Sequence, residues 1–123
     1  MPQITIERSS GFDHVDWNAF ALALHQLVVE IAAARLEACK TRVLRTEDDV
    51  VGDVVGGVEP SGPAIVHVTL ALLAGRSDET KAELTEAVLD LLRKHIGPAD
   101  WVSAVHASAE VRDLDPSYRK YES

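Results

Sequence analysis

Polar and apolar residues alternate from the start of the chain. Gln3, Ile4, Thr5, Ile6 and Glu7 have the period of two that predicts a strand buried on one face, with Pro2 at its head. Ser9, Ser10, Gly11 and Phe12 predict a turn, and Asp13 or Asp16 is placed to cap the helix that follows. Phe20, Leu24, Leu27, Val28 and Ile31 then fall on one stripe, the spacing of an amphipathic helix packed on a sheet, and the pattern predicts its end near Arg35 to Ala38. Cys39, Thr41 and Val43 alternate with Lys40, Arg42 and Leu44. This predicts a second strand with two positive side chains on one face.

Between Asp48 and Pro63 the glycines and prolines break up a valine-rich stretch, which predicts a loop or irregular hairpin. No Lys-Ser or Lys-Thr pair follows these glycines, so a phosphate cradle is not indicated. Ala64 to Leu73 is the most apolar segment, and Ile65, Val66, Val68, Leu70, Leu72 and Leu73 predict a strand buried on both faces. Gly75 turns the chain, and Ser77 is a good N-cap, with Asp78 and Glu79 suited to the positive end of the helix dipole. Leu84, Val88, Leu91 and Leu92 mark the buried stripe of this helix, which is expected to stop at Gly97-Pro98. Val102 to Val111 predicts a fourth strand, and Asp113 to Ser123 a polar tail that either frays or wraps a neighbour.

The two halves repeat. A shift of 64 positions pairs Ile4 with Val68, Ile6 with Leu70, Phe20 with Leu84, Leu24 with Val88, Leu27 with Leu91 and Val28 with Leu92, without a gap. Each half is then a strand, a right-handed crossover helix and a parallel strand. Two such units give an α/β (α+β) fold: a four-stranded sheet with two helices on one face. The chain, 1–123, is expected to form a single domain with halves at about 2–46 and 64–111, a glycine-rich loop at 48–63 and a tail at 113–123. The other sheet face needs a cover, and in 123 residues a second copy is the simplest one.

Composition narrows the function. Hydrophobic residues make up 46% and charged residues 26%, as in ordinary globular proteins. A net charge of -8 argues against nucleic acid and acidic membranes as partners. Cys39 is the only cysteine, so neither an intrachain disulfide nor a thiolate metal cluster is expected, and the five histidines lack ligand spacing. With no secretory pattern at the N-terminus and no apolar run long enough to span a bilayer, residence in the cytoplasm is expected.

Chemistry concentrates at Pro2 and at the cations. If Met1 is removed, Pro2 becomes a secondary amine fixed at a strand end, and burial beside positive charges lowers its pKa by disfavouring the charged form. A neutral amine there is a general base; a retained Met1 turns the same nitrogen into an amide without basicity. Lys40, Arg42 and Arg45 form a positive patch in an acidic chain, attractive to an anionic substrate. The plainer readings are solvated strand-end residues for Lys40 and Arg42, a loop residue for Arg76, a hydrogen-bonded core histidine for His67 and a small buried thiol for Cys39. Trp17 and Trp101 are expected to pack, and Tyr118 and Tyr121 to lie over a neighbouring subunit.

A duplicated strand-helix-strand unit headed by proline resembles the tautomerase superfamily. Cys39-Lys40-Thr41-Arg42, Val66-His67-Val68-Thr69-Leu70, Ala74-Gly75-Arg76-Ser77 and Leu114-Asp115-Pro116 are similar, in order, to stretches of the 5-carboxymethyl-2-hydroxymuconate delta-isomerase family. The resemblance covers nearly the whole chain; only 48–63 departs from it almost entirely. It implies a cofactor-independent isomerase of small unsaturated or enolisable dicarboxylates, a homotrimer with a role in aromatic-acid breakdown. Pro2 is then the base, Arg76 one carboxylate clamp and Lys40 with Arg42 the other. Lys40 stands where the family has arginine, which keeps the charge but loses the planar fork. Two other functions stay open: dehalogenation or decarboxylation of an unsaturated acid with Pro2 as an acid, and a catalytically silent oligomeric binding protein.

Overall fold

The computed structural model describes residues 1–56, 62–98 and 104–123. Strand β1 spans Gln3–Ser9, helix α1 Trp17–Ala32, β2 Lys40–Thr46, β3 Val50–Val51, β4 Val54–Val55, β5 Ala64–Leu72, α2 Asp78–Ile96 and β6 Val105–Asp113. The main sheet has the order β2-β1-β5-β6. β1 is parallel to β2 and β5 to β6, while β1 and β5 are antiparallel. Each parallel pair is joined through its helix, as the repeat requires. β3 and β4 form a separate two-stranded hairpin within the stretch expected to be a loop or irregular hairpin.

One layer holds the core. Ile4 and Ile6 of β1 and Val66, Val68, Leu70 and Leu72 of β5 meet Phe20, Leu24 and Val28 of α1 and Leu84, Val88 and Leu92 of α2. All are essentially inaccessible, and each such burial contributes roughly 1.5–3 kcal/mol. The two helices therefore cannot leave the sheet without exposing the whole set.

β5 has one covered and one open face within this chain, and the open face is the one that a second copy is expected to cover. Its residues alternate, with Ala64, Val66, Val68, Leu70 and Leu72 buried and Ile65, His67, Thr69 and Ala71 half-exposed. Within the chain it is buried on one face only, because both helices lie on that side. His67 is on the open face and not in the core: its Nδ1 meets Ser108 Oγ at 2.6 Å and its Nε2 meets Glu110 Oε1 at 3.0 Å.

Local details also differ. α1 ends at Ala32, before the expected 35–38, because Ala33 turns left-handed at φ 56°. Asp16 caps α1, its side chain accepting from the Ala19 amide at 3.0 Å, whereas Asp13 binds Arg8 and Arg45. Ser77 caps α2 and Gly97 ends it at φ 72°. Trp17 packs edge-on against Phe12 and Phe20; Trp101, also expected to pack, lies outside the described residues. The expected start of the last strand at Val102 lies there too. No helix among the described residues is long and apolar enough to cross a membrane.

Candidate active site

The parallel register places Gln3 beside Lys40, and the antiparallel register places it beside Ala71. Met1-Pro2 therefore enters the sheet between the start of β2 and the end of β5. Pro2 is buried, and its carbonyl accepts the Lys40 amide at 3.2 Å. The loop after β5 carries Arg76, so a guanidinium and an ammonium flank the same strand end.

Electrostatics agree with that placement. The terminal amine, here on Met1, is held below its ordinary value of 8.0, first by burial and then by the positive charges of Arg76, Lys120 and Lys40; Cys39 pulls weakly the other way. Burial in turn raises the Cys39 thiol pKa, so the thiol stays protonated and is a poor nucleophile.

The sequence-predicted cations have unequal surroundings. Lys40 and Arg42 share the open face of the sheet with Gln3, and Arg42 donates to Gln3 Oε1 at 3.0 Å. Arg45 does not belong to this group. It points to the opposite face, where Asp13 holds it at 2.8 and 3.0 Å and Glu47 at 2.7 Å, since strand neighbours of odd separation face opposite ways. The positive patch is thus two strand residues and not three.

Arg76 has a structural task as well. Its Nε and Nη2 donate to the Ala32 carbonyl at 3.0 and 2.8 Å, and its Nη1 to the Leu73 carbonyl at 3.0 Å. A guanidinium has five N–H donors, so two remain for an anion. The side chain is half-buried, which fixes the fork before any ligand arrives.

The tail completes the surround by turning back toward the start of β1. Leu114 donates to the Leu72 carbonyl at 2.6 Å, and the Asp115 carboxylate accepts the Ser117 amide at 2.8 Å, turning the chain back. Tyr118 Oη then accepts from Gln3 Nε2 at 3.1 Å, and Lys120 Nζ reaches Met1 Sδ at 3.5 Å. Glu122 accepts an ion pair from Lys40 at 3.2 Å. Tyr121 is 89% exposed. Gln3, Lys120 and Glu122 carry no local sequence signal; only the shared end of β1 and β6 brings them together. Among the described residues no group of three His, Cys, Asp or Glu side chains could hold a metal ion.

The family model described as 5-carboxymethyl-2-hydroxymuconate isomerase matches residues 2–122. No curated protein matches the sequence significantly. Among solved structures, a 5-carboxymethyl-2-hydroxymuconate isomerase from Deinococcus radiodurans R1 has TM-score 0.81 at 22% identity, over 98% of this chain and 90% of that one. A fused 4-OT wild-type symmetric trimer has TM-score 0.70 at 22% identity, over 91% and 85%. FG41 malonate semialdehyde decarboxylase has TM-score 0.69 at 24% identity, over 98% and 88%. At such identities these likenesses are of fold.

Proposed function

The chain belongs to the 5-carboxymethyl-2-hydroxymuconate isomerase family, and from that premise we propose that it moves a proton within small unsaturated or enolisable dicarboxylates, with Pro2 as the base. The observation that carries this reading is the depressed terminal amine among Arg76, Lys120 and Lys40. Removal of Met1 would transfer that environment to a secondary amine one residue further in.

Mechanism follows from charge. Neutral Pro2 nitrogen takes a proton from the enol hydroxyl, or from the carbon next to the carbonyl of the unsaturated acid, and the electron pair of the broken O–H or C–H bond spreads into a dienolate. Arg76, Lys40 and Lys120 stabilise the negative charge as it grows, the fixed-donor effect that dominates many such barriers. The protonated amine then returns the proton to another carbon of the conjugated system, leaving the enzyme unchanged. No cofactor enters this scheme. A terminal amine whose pKa is lowered by burial and by Arg76 and Lys120 favours this base chemistry over the dehalogenase or decarboxylase alternative, in which Pro2 acts as an acid.

Arg76, with two donors left, is assigned one substrate carboxylate, and Lys40 with Arg42 the second. We assign the assembly as a homotrimer, supported by the symmetric trimer among the fold neighbours and by the half-exposed open face of β5. A role in aromatic-acid breakdown in the cytoplasm belongs to the same proposal.

The test starts with intact mass, which reports whether Met1 is removed. Protein lacking Met1 is expected to ketonise a small enol dicarboxylate, and Pro2→Ala to slow this at least about tenfold, roughly 1.4 kcal/mol of barrier. Full retention of Met1 in the native protein, or an unchanged rate in Pro2→Ala, defeats the base assignment.

A further inference from the structure

Glu122 is ion-paired to two of the cations at the head of β1. Its Oε2 sits 3.2 Å from Lys40 Nζ and 3.5 Å from Lys120 Nζ. A single oxygen thus bridges an ammonium from the sheet and an ammonium from the tail. Lys120 in turn touches Met1 at 3.5 Å, and Tyr118 anchors the tail to Gln3 at 3.1 Å.

Four cations lie toward this end, Lys40, Arg42, Arg76 and Lys120, and Glu122 is ion-paired to two of them. Arg42 has a neutral amide partner and Arg76 has carbonyl partners. Two guanidinium groups thus keep their charge without a carboxylate partner, in a chain whose formal net charge is -8. A surplus of positive charge in an acidic protein favours an anion at that spot. Glu122 supplies an internal one, in an exposed ion pair of the kind that binds weakly.

We propose that Lys120 and Lys40 form a carboxylate pocket of the active site, and that Glu122 holds this pocket until a substrate carboxylate displaces it. The proposal rests on the tautomerase reading and deepens it, because it makes the C-terminal tail part of the substrate site. It adds a binding residue, Lys120, that strand and helix patterns give no reason to choose. Both lysines are point charges on flexible stems, so the pocket selects for charge and reach more than for one planar orientation. Arg76 keeps the fixed fork on the other side of the strand. A substrate with carboxylates at two ends fits that division.

The test uses adipate, a saturated dicarboxylate that cannot react, titrated into the 15N-labelled full chain and followed by the amide signals of residues 38–42 and 118–122. Glu122→Gln is expected to bind adipate about twofold to fivefold more tightly than the native protein, the range of an exposed ion pair. Glu86→Gln removes the same charge from an exposed position on α2, and its affinity is expected to match the native value. Lys120→Ala is expected to weaken binding at least about threefold, and Lys120→Arg to restore most of it.

Three results overturn the pocket: Glu122→Gln binding no tighter than Glu86→Gln, Lys120→Ala binding like the native protein, or no adipate-dependent shift in any variant. All substitutions lie on exposed positions, and the amide pattern of the sheet reports that each variant is folded. Binding does not need the proline base. Loss of turnover with this affinity pattern intact therefore counts against Pro2 and not against the pocket.

Discussion

The Arg76 guanidinium closes on the Ala32 carbonyl with two N–H groups, at 3.0 and 2.8 Å. Ala32 is the last residue of α1, where carbonyls have no partner within the helix. The residue assigned to substrate thus also terminates a helix, and a cation there suits the negative end of the dipole. Arg76→Ala is expected to lower stability by about 1.5–3 kcal/mol, as the loss of hydrogen bonds to charged groups does. Arg76→Lys should recover part of it while still raising KM, because one ammonium cannot replace the fork. Urea melts and kinetics on the same preparations check this; native-like stability in Arg76→Ala rejects the helix-end role.

Ala33 explains why α1 stops where it does. Its φ of 56° is left-handed, a conformation costing an L-residue about 1–2 kcal/mol and glycine almost nothing. The position is exposed, so no packing is lost on substitution. Ala33→Gly is expected to stabilise the protein by about 0.5–1 kcal/mol after the greater freedom of unfolded glycine is subtracted. A lower melting temperature in this variant would reject that account.

The terminal amine gives a pH dependence with a definite sign. Its folded pKa lies below 8.0, through burial first and then Arg76 and Lys120, so the unfolded chain binds more protons between those values. Stability contributed by this group is present above pH 8.0 and is lost as pH falls through the folded pKa. Lys120→Ala and Arg76→Ala are each expected to raise the amine pKa and to move the acidic limb of kcat/KM upward. NMR titration of the terminal nitrogen reads this directly; a pKa unmoved in both variants excludes the cationic niche.

His25 reports on the other sheet face. It lies on α1 with its Nε2 2.7 Å from Thr41 Oγ1, and burial holds its pKa below 6.5. The neutral ring is therefore favoured on folding, and its contribution disappears as pH drops through the folded pKa. His25→Gln is expected to flatten the acid side of the stability profile between pH 6.5 and that value. Thermal melts across the range decide it, and a profile of unchanged slope counts against His25 as the source.

Much of the fold was legible because the chain repeats itself. Thr5 pairs with Thr69 across the central antiparallel ladder, and the two are also equivalent under the shift of 64, so a pseudo-twofold axis passes between them. Ile4 and Ile6, and Val68 and Leu70, then fall on the same face as a matter of geometry. The alternation of β5 was masked in the sequence, because Ile65 and Ala71 share the face that the helices leave open with His67 and Thr69. The site was half legible. Pro2, Lys40, Arg42 and Arg76 converge at one end of β1, whereas Lys120 and Glu122 reach it through tertiary return of the tail, and Arg45 was excluded by strand parity alone. The early end of α1 carried no glycine to announce it.

Ser9 is the last test of how the two halves are joined. It is the one polar residue recorded as buried among those described, at 2% exposure, and it lies just past the final β1–β5 pair, Arg8 with Val66. Its hydroxyl donates to the Ile65 carbonyl at 3.1 Å and accepts the Ile65 amide at 2.7 Å. One side chain thus extends the ladder by satisfying both groups of a facing residue. Ser9→Ala removes these partners where water cannot easily replace them, and an unpaired buried polar group costs about 1–3 kcal/mol. Stability should fall by that amount in denaturant melts, and the Ile65 amide should lose its protection from hydrogen exchange while the Val68 amide keeps its own. Equal loss at both amides would mean that the sheet opens as a whole and that Ser9 does not act locally.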